Sequence, residues 1–500
     1  MMKQQNNKPI YYSVAAVFFV NIISKGIGFF RETLMAAYYG TSEITDTFLM
    51  SNSIVNIFFS ILTAISLLYI PLLASDFDKH KKGGEEQTSQ FVQLILCVGL
   101  VLGVFLLGFR SEIVRRIAWG FDEHMVMLTE YFLFFSSISF LLTSINQLLI
   151  YNLNFNNIFL RANITTIILS VFQILGIVLS HKTNYLMFLN ISQALGCLLQ
   201  MLILTIVILK ADVKVKFTRI KFAFVKNVVM LAIPVILSSV IDDVNVMIDK
   251  MFASNLEVGI ISSMNYAHML KQLLFFIIVN SGISVIFPQI ANLIAEKDIK
   301  KLSQLTQTFL WLIEIIVIPI MMGSIFYSKF IIRIVYERGA FGNQSTLITA
   351  VIFNMYILAL LPLAARELFQ RILYSFQDTK NTFWVNAIMS LSNIILNSVL
   401  FIPMKYKGLA LSTALSAYLA IPFYLKYIQQ KGIILHYKFL FREAIFLLLV
   451  STASIVPVFW LYTRTTGSVA WTFFYILLTI IIYCILVVSF RLKLLFSLLK

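Results

Sequence analysis

The stretch SKGIGFFRE, residues 24–32, places charged side chains inside a run that is otherwise hydrophobic enough to span a bilayer. Lys25 and Arg31 are its cations, and Asp46 follows at the start of the next apolar run. Charge inside a membrane is energetically expensive, so it usually faces a water-filled cavity or a partner and marks a transport path. The stretch therefore indicates a membrane protein with a polar central cavity.

A second polar interruption has a similar layout later in the chain. The sequence PVILSS, residues 234–239, precedes Asp249 and Lys250, and a short polar turn and another long apolar run follow. Internal repeats that enclose a site near the bilayer midplane are a common plan among transporters. We therefore predict two homologous lobes, each contributing one of the interruptions.

Composition supports integration into a membrane and excludes a soluble globular class. The 500 residues are 59% hydrophobic and 12% charged, with a mean hydropathy of +0.88, whereas a soluble domain is about a quarter charged. Apolar runs of about 20 residues recur along the chain, which is helix length for a span. The net charge of +16 indicates basic loops beside an anionic leaflet rather than a nucleic-acid partner.

The predicted fold class is an all-α polytopic membrane protein with about 14 transmembrane helices. It would contain two pseudo-symmetric six-helix lobes around a central cavity, plus two C-terminal helices. The predicted lobes are residues 1–209 and 223–430, joined by a basic cytoplasmic linker at 210–222, with the two additional helices in 431–500. Loops on the side of both termini carry about twice as many Lys and Arg residues as the opposite loops, which predicts that both termini are cytoplasmic.

Several motifs resemble one known family. Residues 24–32, with the DTF sequence at 46–48, are similar to the opening motif of the MurJ/MviN lipid II flippases, and the ERGAF sequence at 337–341 is similar to that family's RGAF turn. Further resemblances lie, in family order, at 234–254, 266–267, 287–289, 371–380 and 408–410.

The resemblance implies a fold and a task. The fold is two six-helix bundles around a V-shaped cavity, with two extra helices that form a groove for a lipid tail. The task is to move an undecaprenyl-pyrophosphate-linked, lipid II-like precursor from the cytoplasmic to the outer leaflet by alternating access, in peptidoglycan biosynthesis. The implied location is the bacterial cytoplasmic membrane, with a polyprenyl-pyrophosphate-linked oligosaccharide and cell-envelope synthases as partners.

The sequence departs from the family at Lys25, where the family has an arginine. Fewer cationic anchors leave open a flippase for another lipid-linked repeat unit, such as capsule, O-antigen or a teichoic-type glycan. A cation-coupled exporter of the same superfamily is a further alternative. We expect no enzyme activity, because the sequence contains neither a Walker A loop nor an HExxH motif.

The first group of candidate residues would bind the headgroup in the first lobe. Arginine can grip a pyrophosphate bidentately, whereas lysine acts as a point charge. We therefore expect Arg31 to contact the headgroup with help from Lys25, and Asp46 to orient Arg31. The competing interpretation is a structural bridge from Arg31 to Glu32 or Asp46.

Asp249 and Lys250 are the expected counterparts in the second lobe. Neighbouring residues point about 100° apart on a helix, so these two should not pair with each other. Asp242 and Asp243 lie two turns earlier, and Asp242 shares a face with Asp249. This face would bind Na⁺ or a proton, or it is simply hydrated.

The last candidates lie further along the chain. His268 and Lys271 share one helix face and are assigned to the headgroup cavity. Glu314 is isolated in an apolar run, so we expect it to pair with Arg366 or Arg371. We predict no metal site and no cofactor, with coupling to Na⁺, H⁺ or the membrane potential.

Overall fold

The computed structural model describes residues 10–70, 72, 83–156, 158–210, 219, 221–464 and 469–498. All the regular secondary structure in these ranges is helical. The α-helices are α1 (Ile10–Tyr39), α2 (Glu43–Leu67), α3 (Gly83–Gly108), α4 (Arg110–Ile117), α5 (Glu123–Phe155), α6 (Phe159–Thr183), α7 (Phe188–Lys210), α8 (Phe222–Ala253), α9 (Ile260–Phe275), α10 (Ser281–Ala295), α11 (Ile299–Phe326), α12 (Ser328–Tyr336), α13 (Asn343–Ile357), α14 (Leu360–Ser375), α15 (Thr379–Met404), α16 (Tyr406–Gln430), α17 (Tyr437–Arg464) and α18 (Val469–Leu498). A π-helical turn, Phe276–Asn280, joins α9 to α10.

The predicted all-α membrane fold is confirmed. Within the described ranges, 11 helices are long and apolar enough to cross a membrane, or up to 13 if each of two bent pairs is one span. The bends are 41° each, one inside α8 and one between α13 and α14. Pro362 lies in the first turn of α14, where its missing N–H would lack a helical acceptor in any case. The predicted number of transmembrane helices was about 14. Helix α1 was predicted as a span but is not among the 11 to 13 candidate spans of the described residues.

Contacts between residues divide the chain into two compact units. Unit 1 comprises Met1–Ser262 together with Arg338–Gly342, and unit 2 comprises Ser263–Glu337 together with Asn343–Lys500. This division does not test the predicted pseudo-symmetry of the two lobes, which stays a prediction. Most of the predicted basic linker lies outside the described residues.

In unit 1, helix α2 packs against α5 and α8, and α6 packs against α1 and α7. One apolar cluster in this unit consists of Met35, Phe132, Ile177 and Leu189. Polar side chains also connect helices. The Asn146 amide on α5 donates to the backbone oxygen of Cys197 on α7 over 2.9 Å. Such hydrogen bonds help to hold helices together in a membrane, where the hydrophobic effect gives little drive for association.

In unit 2, α15 packs against α16, and α11 packs against α17. An apolar cluster on α11, α17 and α18 contains Ile318, Leu447, Val450, Tyr483 and Val487. The arrangement places the two C-terminal helices, α17 and α18, directly beside α11.

The ERGAF turn is held against the end of α1 by backbone contacts inside unit 1. The Ala340 N–H donates to the Ala37 carbonyl over 2.8 Å. Gly339 has φ of +58°, and a Cβ at this position would lie 2.2 Å from the Ala37 oxygen. Gly40 also has φ of +58°, and its Cβ would lie 2.4 Å from the Ala340 oxygen. Glycine is required at both positions because the backbone is left-handed and no side-chain atom fits.

We expect Gly339→Ala to destabilise unit 1. A left-handed backbone with a Cβ costs roughly 1–3 kcal/mol, and the clash with the Ala37 oxygen adds to it because backbone atoms cannot rotate away. The measurement is the thermal midpoint of the purified protein in detergent. Gly342→Ala is the matched control, because a Cβ there meets nothing within 4 Å. Equal midpoints for the two variants would contradict the prediction.

Candidate functional site

Lys250, near the end of α8, is held by two acceptors on α2. Its Nζ donates to Ser53 Oγ over 2.6 Å and to the Leu49 carbonyl over 3.1 Å. Ser53 lies one helical turn after Leu49, so the two oxygens fall on one face. The lysine that was predicted as a headgroup ligand therefore has acceptors inside the protein.

Lys250 is also the charge partner of three buried carboxylates. Glu32, Asp46 and Asp249 each interact electrostatically with its ammonium group. Their exposed fractions are only 7%, 2% and 8%. Buried charges are stable only when they are paired or hydrogen-bonded, so Lys250 supplies compensation that all three acids share. We call these four residues the Lys250 cluster.

Asp46 has a different role from the one that the sequence suggested. Its Oδ2 accepts from Gly259 N over 2.6 Å, and its Oδ1 accepts from Ser262 N over 2.8 Å. Gly259 immediately precedes α9 and Ser262 lies in its first turn, where the N–H groups lack acceptors within the helix. Asp46 therefore caps α9 rather than orienting Arg31, because both carboxylate oxygens are engaged by backbone donors.

Arg31 forms the structural bridge that was the competing interpretation. Its Nη2 donates to Glu32 Oε1 over 2.5 Å, and its Nη1 donates to Gln173 Oε1 over 2.5 Å. The Arg31 side chain remains 27% exposed, so the bridge does not enclose it. Lys25 is exposed on the same helix.

The predicted aspartates on α8 are not a buried carboxylate pair. Asp242 is exposed, whereas Asp249 is 8% exposed. Asp243 is partly buried and accepts a short hydrogen bond from the hydroxyl of Ser60 on α2. Of these three acids, Asp243 and Asp249 thus face groups in the protein interior.

The structure places His268 and Lys271 in unit 2. Lys271 is 4% exposed, and its Nζ lies 5.6 Å from the centroid of the Tyr356 ring. The His268 ring meets the same tyrosine edge-on at 5.6 Å, and its Nε2 lies 3.0 Å from Gln272 Nε2. A cation over an aromatic face is stabilised by the ring quadrupole, so Tyr356 brings the two predicted residues together.

The expected pairing of Glu314 with an arginine does not occur. Arg371 instead binds Glu367, one turn earlier on the same helix, with Nη2 to Oε1 at 2.8 Å. Arg366 interacts with Tyr424 on α16. Residues four apart on a helix are neighbours. Arg371 can therefore pair with Glu367 on its own helix, whereas pairing with Glu314 would require a contact with α11. Within the described ranges, no group of three or more His, Cys, Asp or Glu side chains could hold a metal ion.

Comparison with known families adds an independent finding. The model of the family described as "Lipid II flippase MurJ" matches residues 35–483, which is most of the chain. The chain belongs to the MurJ lipid II flippase family. A probable lipid II flippase MurJ from Rhizobium tropici is 26% identical over 409 residues, covering 79% of this chain and 76% of the relative. The corresponding protein from Borreliella burgdorferi is 24% identical and covers 90% of this chain and 88% of the relative.

Solved structures support the fold. A lipid II flippase MurJ in an inward closed conformation aligns with a TM-score of 0.84 at 24% identity, over 96% of this chain and 99% of that one. An inward-facing multidrug resistance MATE family transporter of the MOP superfamily aligns with a TM-score of 0.70 at 11% identity, over 82% and 95%. The MurJ fold and the MATE fold are therefore both similar to this chain.

Three contacts of the site were missed from the sequence. Gln173 on α6 is the second partner of Arg31, the backbone of 259–262 is the partner of Asp46, and Ser53 is the partner of Lys250. The Gly259 position carried one usable signal, since a glycine that precedes an apolar run indicates a helix boundary. Gln173 and Ser53 carried none, because a polar residue in a membrane helix has many potential partners.

Proposed function

We propose that this chain is a flippase that moves lipid II, an undecaprenyl-pyrophosphate-linked cell-wall precursor, from the cytoplasmic to the outer leaflet during peptidoglycan biosynthesis. The observation that carries this proposal is the match of the MurJ family model to residues 35–483. In this proposal the chain works by alternating access, as a transporter and not as an enzyme.

The headgroup would bind to the cations of α1. A guanidinium has five N–H donors, and Glu32 and Gln173 each accept one from Arg31. The remaining donors are available to a phosphate, and Glu32 and Gln173 fix the plane of the guanidinium. Lys25, exposed on the same helix, adds a second positive charge that is not geometrically constrained.

The polyprenyl tail would occupy an apolar cavity of about 480 Å³ in unit 2. Helices α11, α17 and α18 line it, with Ile316, Ile320, Ile455 and Ile480 among the lining side chains. We propose that this cavity is the groove expected at the two C-terminal helices. An isoprenoid chain offers no polar groups, so an apolar wall is sufficient to hold it.

The chain would lie in the bacterial cytoplasmic membrane with both termini in the cytoplasm, as the Lys and Arg content of its loops suggests. Its partners would be lipid II and the envelope synthases that consume it. An ion gradient or the membrane potential would reset the carrier.

Complementation tests the function. The chain is expressed in cells depleted of their own lipid II flippase, and we expect the wild type to restore growth and Arg31→Ala to fail. Loss of a charge-assisted hydrogen bond costs about 1.5–3 kcal/mol, which is roughly a tenfold to hundredfold loss of headgroup affinity. Arg31→Lys should restore growth only in part, because it retains the charge without the planar donors.

Arg161→Ala is the matched control, since Arg161 is exposed at the start of α6, and it should complement like the wild type. Membrane levels of each variant are compared by immunoblot. Failure of the well-expressed wild type to sustain growth would overturn the lipid II assignment. Full growth with Arg31→Ala would overturn the role of Arg31 alone.

A further inference from the structure

Helix α11 carries three buried polar atoms on one face that have no hydrogen-bond partner among the described residues. They are Gln307 Nε2, Trp311 Nε1 and Glu314 Oε2. Spacings of four and three residues put all three on the same side of the helix. Trp311 is only 2% exposed. Buried polar atoms are nearly always hydrogen-bonded to protein or to ordered water. We call these three atoms the α11 stripe, and their lack of partners requires an explanation.

The stripe faces α17. The rings of Trp311 and Phe439 lie 6.4 Å apart, and the His436 N–H, just before α17, donates to Gln307 Oε1 over 2.8 Å. Glu443 on α17 is the charged group that interacts electrostatically with Glu314. The three polar atoms therefore lie along the seam between two membrane helices.

Glu443 is already neutralised by another residue. The Glu443 side chain is 0% exposed. Arg491 on α18 donates from Nε to Glu443 Oε2 over 2.7 Å and from Nη2 to Glu443 Oε1 over 2.9 Å. The Arg491 guanidinium also lies 4.0 Å from the centroid of the Phe446 ring. Arg491 thus balances the charge of Glu443, while Glu314 interacts with the carboxyl group of Glu443. A second full negative charge there would be uncompensated, which is unfavourable at low dielectric.

Among the described side chains, the other helices that pack against α11 supply no compensating cation to Glu314. Helices α10 and α13 contain no charged residue. Among the described side chains, the titratable or charged groups that remain on α12, α13, α14, α17 and α18 are Lys329, Arg333, Tyr336, Tyr356, Arg366, Glu367, Arg371, Tyr374, Tyr437, Lys438, Arg442, Tyr462, Arg464, Tyr475, Tyr483 and Cys484. None of these basic groups interacts electrostatically with Glu314.

A cavity with several polar side chains in its lining lies at the start of α11 and includes Gln307. Its volume is about 560 Å³, and its lining includes Ser303, Gln304, Gln307, Thr308 and His436. Gln307 belongs both to this cavity and to the unpartnered stripe. Water in a cavity of this size can hydrogen-bond to Gln307, and Trp311 and Glu314 follow Gln307 on the same face of α11.

We propose that Glu314, beside the Glu443–Arg491 pair, is a proton-binding site that exchanges protons with water entering from this cavity past Gln307 and Trp311. A hydronium ion in the cavity gives its proton to the Glu314 carboxylate, which becomes a neutral carboxylic acid, and water is released. The proposal deepens the transport function and rests on it in one respect: the bound proton is the coupling ion of the carrier. Binding itself is a property of the protein without substrate.

Infrared difference spectroscopy of the purified chain in lipid nanodiscs tests proton binding without substrate. We expect a C=O stretching band of a protonated carboxyl group in the wild type at neutral pH, which is lost when the pH is raised. Glu314→Gln should remove this band, and Glu296→Gln should keep it, because Glu296 is exposed at the end of α10. A band that is unchanged in Glu314→Gln would overturn the proposal.

A second measurement uses only the wild type, so it stands even if Glu314→Gln does not fold. Dicyclohexylcarbodiimide reacts with protonated carboxyl groups in apolar surroundings, and mass spectrometry identifies the modified residue. We expect modification at Glu314 at neutral pH that decreases as the pH is raised, and none at Glu296. No modification of Glu314 at any pH would overturn the proposal.

Lipid II transport in proteoliposomes tests the coupling role. We expect an imposed pH gradient to accelerate wild-type transport severalfold and to have no effect on Glu314→Gln. An equal response of both proteins would overturn coupling through Glu314. Absence of all wild-type transport, with the infrared band intact, would instead count against the proposed function.

Discussion

Lys250→Met is expected to destabilise unit 1 by about 3–5 kcal/mol, the usual cost of removing one partner from a buried group of charges. The substitution leaves Glu32, Asp46 and Asp249 without the ammonium group that interacts with all three. It also leaves the Ser53 hydroxyl and the Leu49 carbonyl without their donor. Methionine is similar in length to lysine, so the loss is mainly one of charge and hydrogen bonding.

The measurement is the free energy of unfolding of the purified protein, with the thermal midpoint in detergent as a second readout. Lys226→Met is the matched control on the same helix, because Lys226 is exposed, and its stability should stay within about 0.5 kcal/mol of the wild type. Adding Asp249→Asn to Lys250→Met should restore part of the stability, since it removes one uncompensated charge. Equal free energies of unfolding for Lys250→Met and Lys226→Met would show that Lys250 does not compensate the charges of the three acids.

The sequence was sufficient for the fold class because the relevant signal is local. Apolar runs of helix length determine where helices form in a membrane, where every backbone polar group needs an internal partner. The ERGAF turn was also recognisable from local residues. Its contact with Ala37 was not, because the two segments are about 300 residues apart and only the folded backbone places Gly339 against α1.

The site illustrates the same limit. Residues 24–32 and 249–250 were correctly singled out as polar interruptions of apolar helices, but the expected partner of Asp46 was wrong. Its donors, Gly259 N and Ser262 N, are backbone groups, and a sequence does not distinguish one backbone N–H from another. Helical spacing predicts only neighbours three or four residues apart, as in the contact of Arg371 with Glu367.

The second large effect is expected at the ion pair of α17 and α18. Arg491→Met should destabilise unit 2 by about 3–5 kcal/mol, because it leaves the fully buried Glu443 without its cation. Arg442 does not replace it, since its side chain is 72% exposed and its Nη2 lies 3.7 Å from Glu443 Oε1. Arg442→Met is therefore the matched control, and we expect it to cost less than about 1 kcal/mol.

A double-mutant cycle with Glu443→Gln separates the pair from the packing around it. Replacement of both charges in a buried pair is often close to neutral, so the double variant should recover most of the stability that Arg491→Met loses. The expected coupling energy is about 2–3 kcal/mol, in the upper range for residues in direct contact. Additive losses would mean that Arg491 acts through its packing on Phe446, which lies 4.0 Å from the guanidinium. Recovery would instead establish that α17 and α18 are joined by a charge pair, and that Glu443, with its charge balanced by Arg491, has no cation left to share with Glu314.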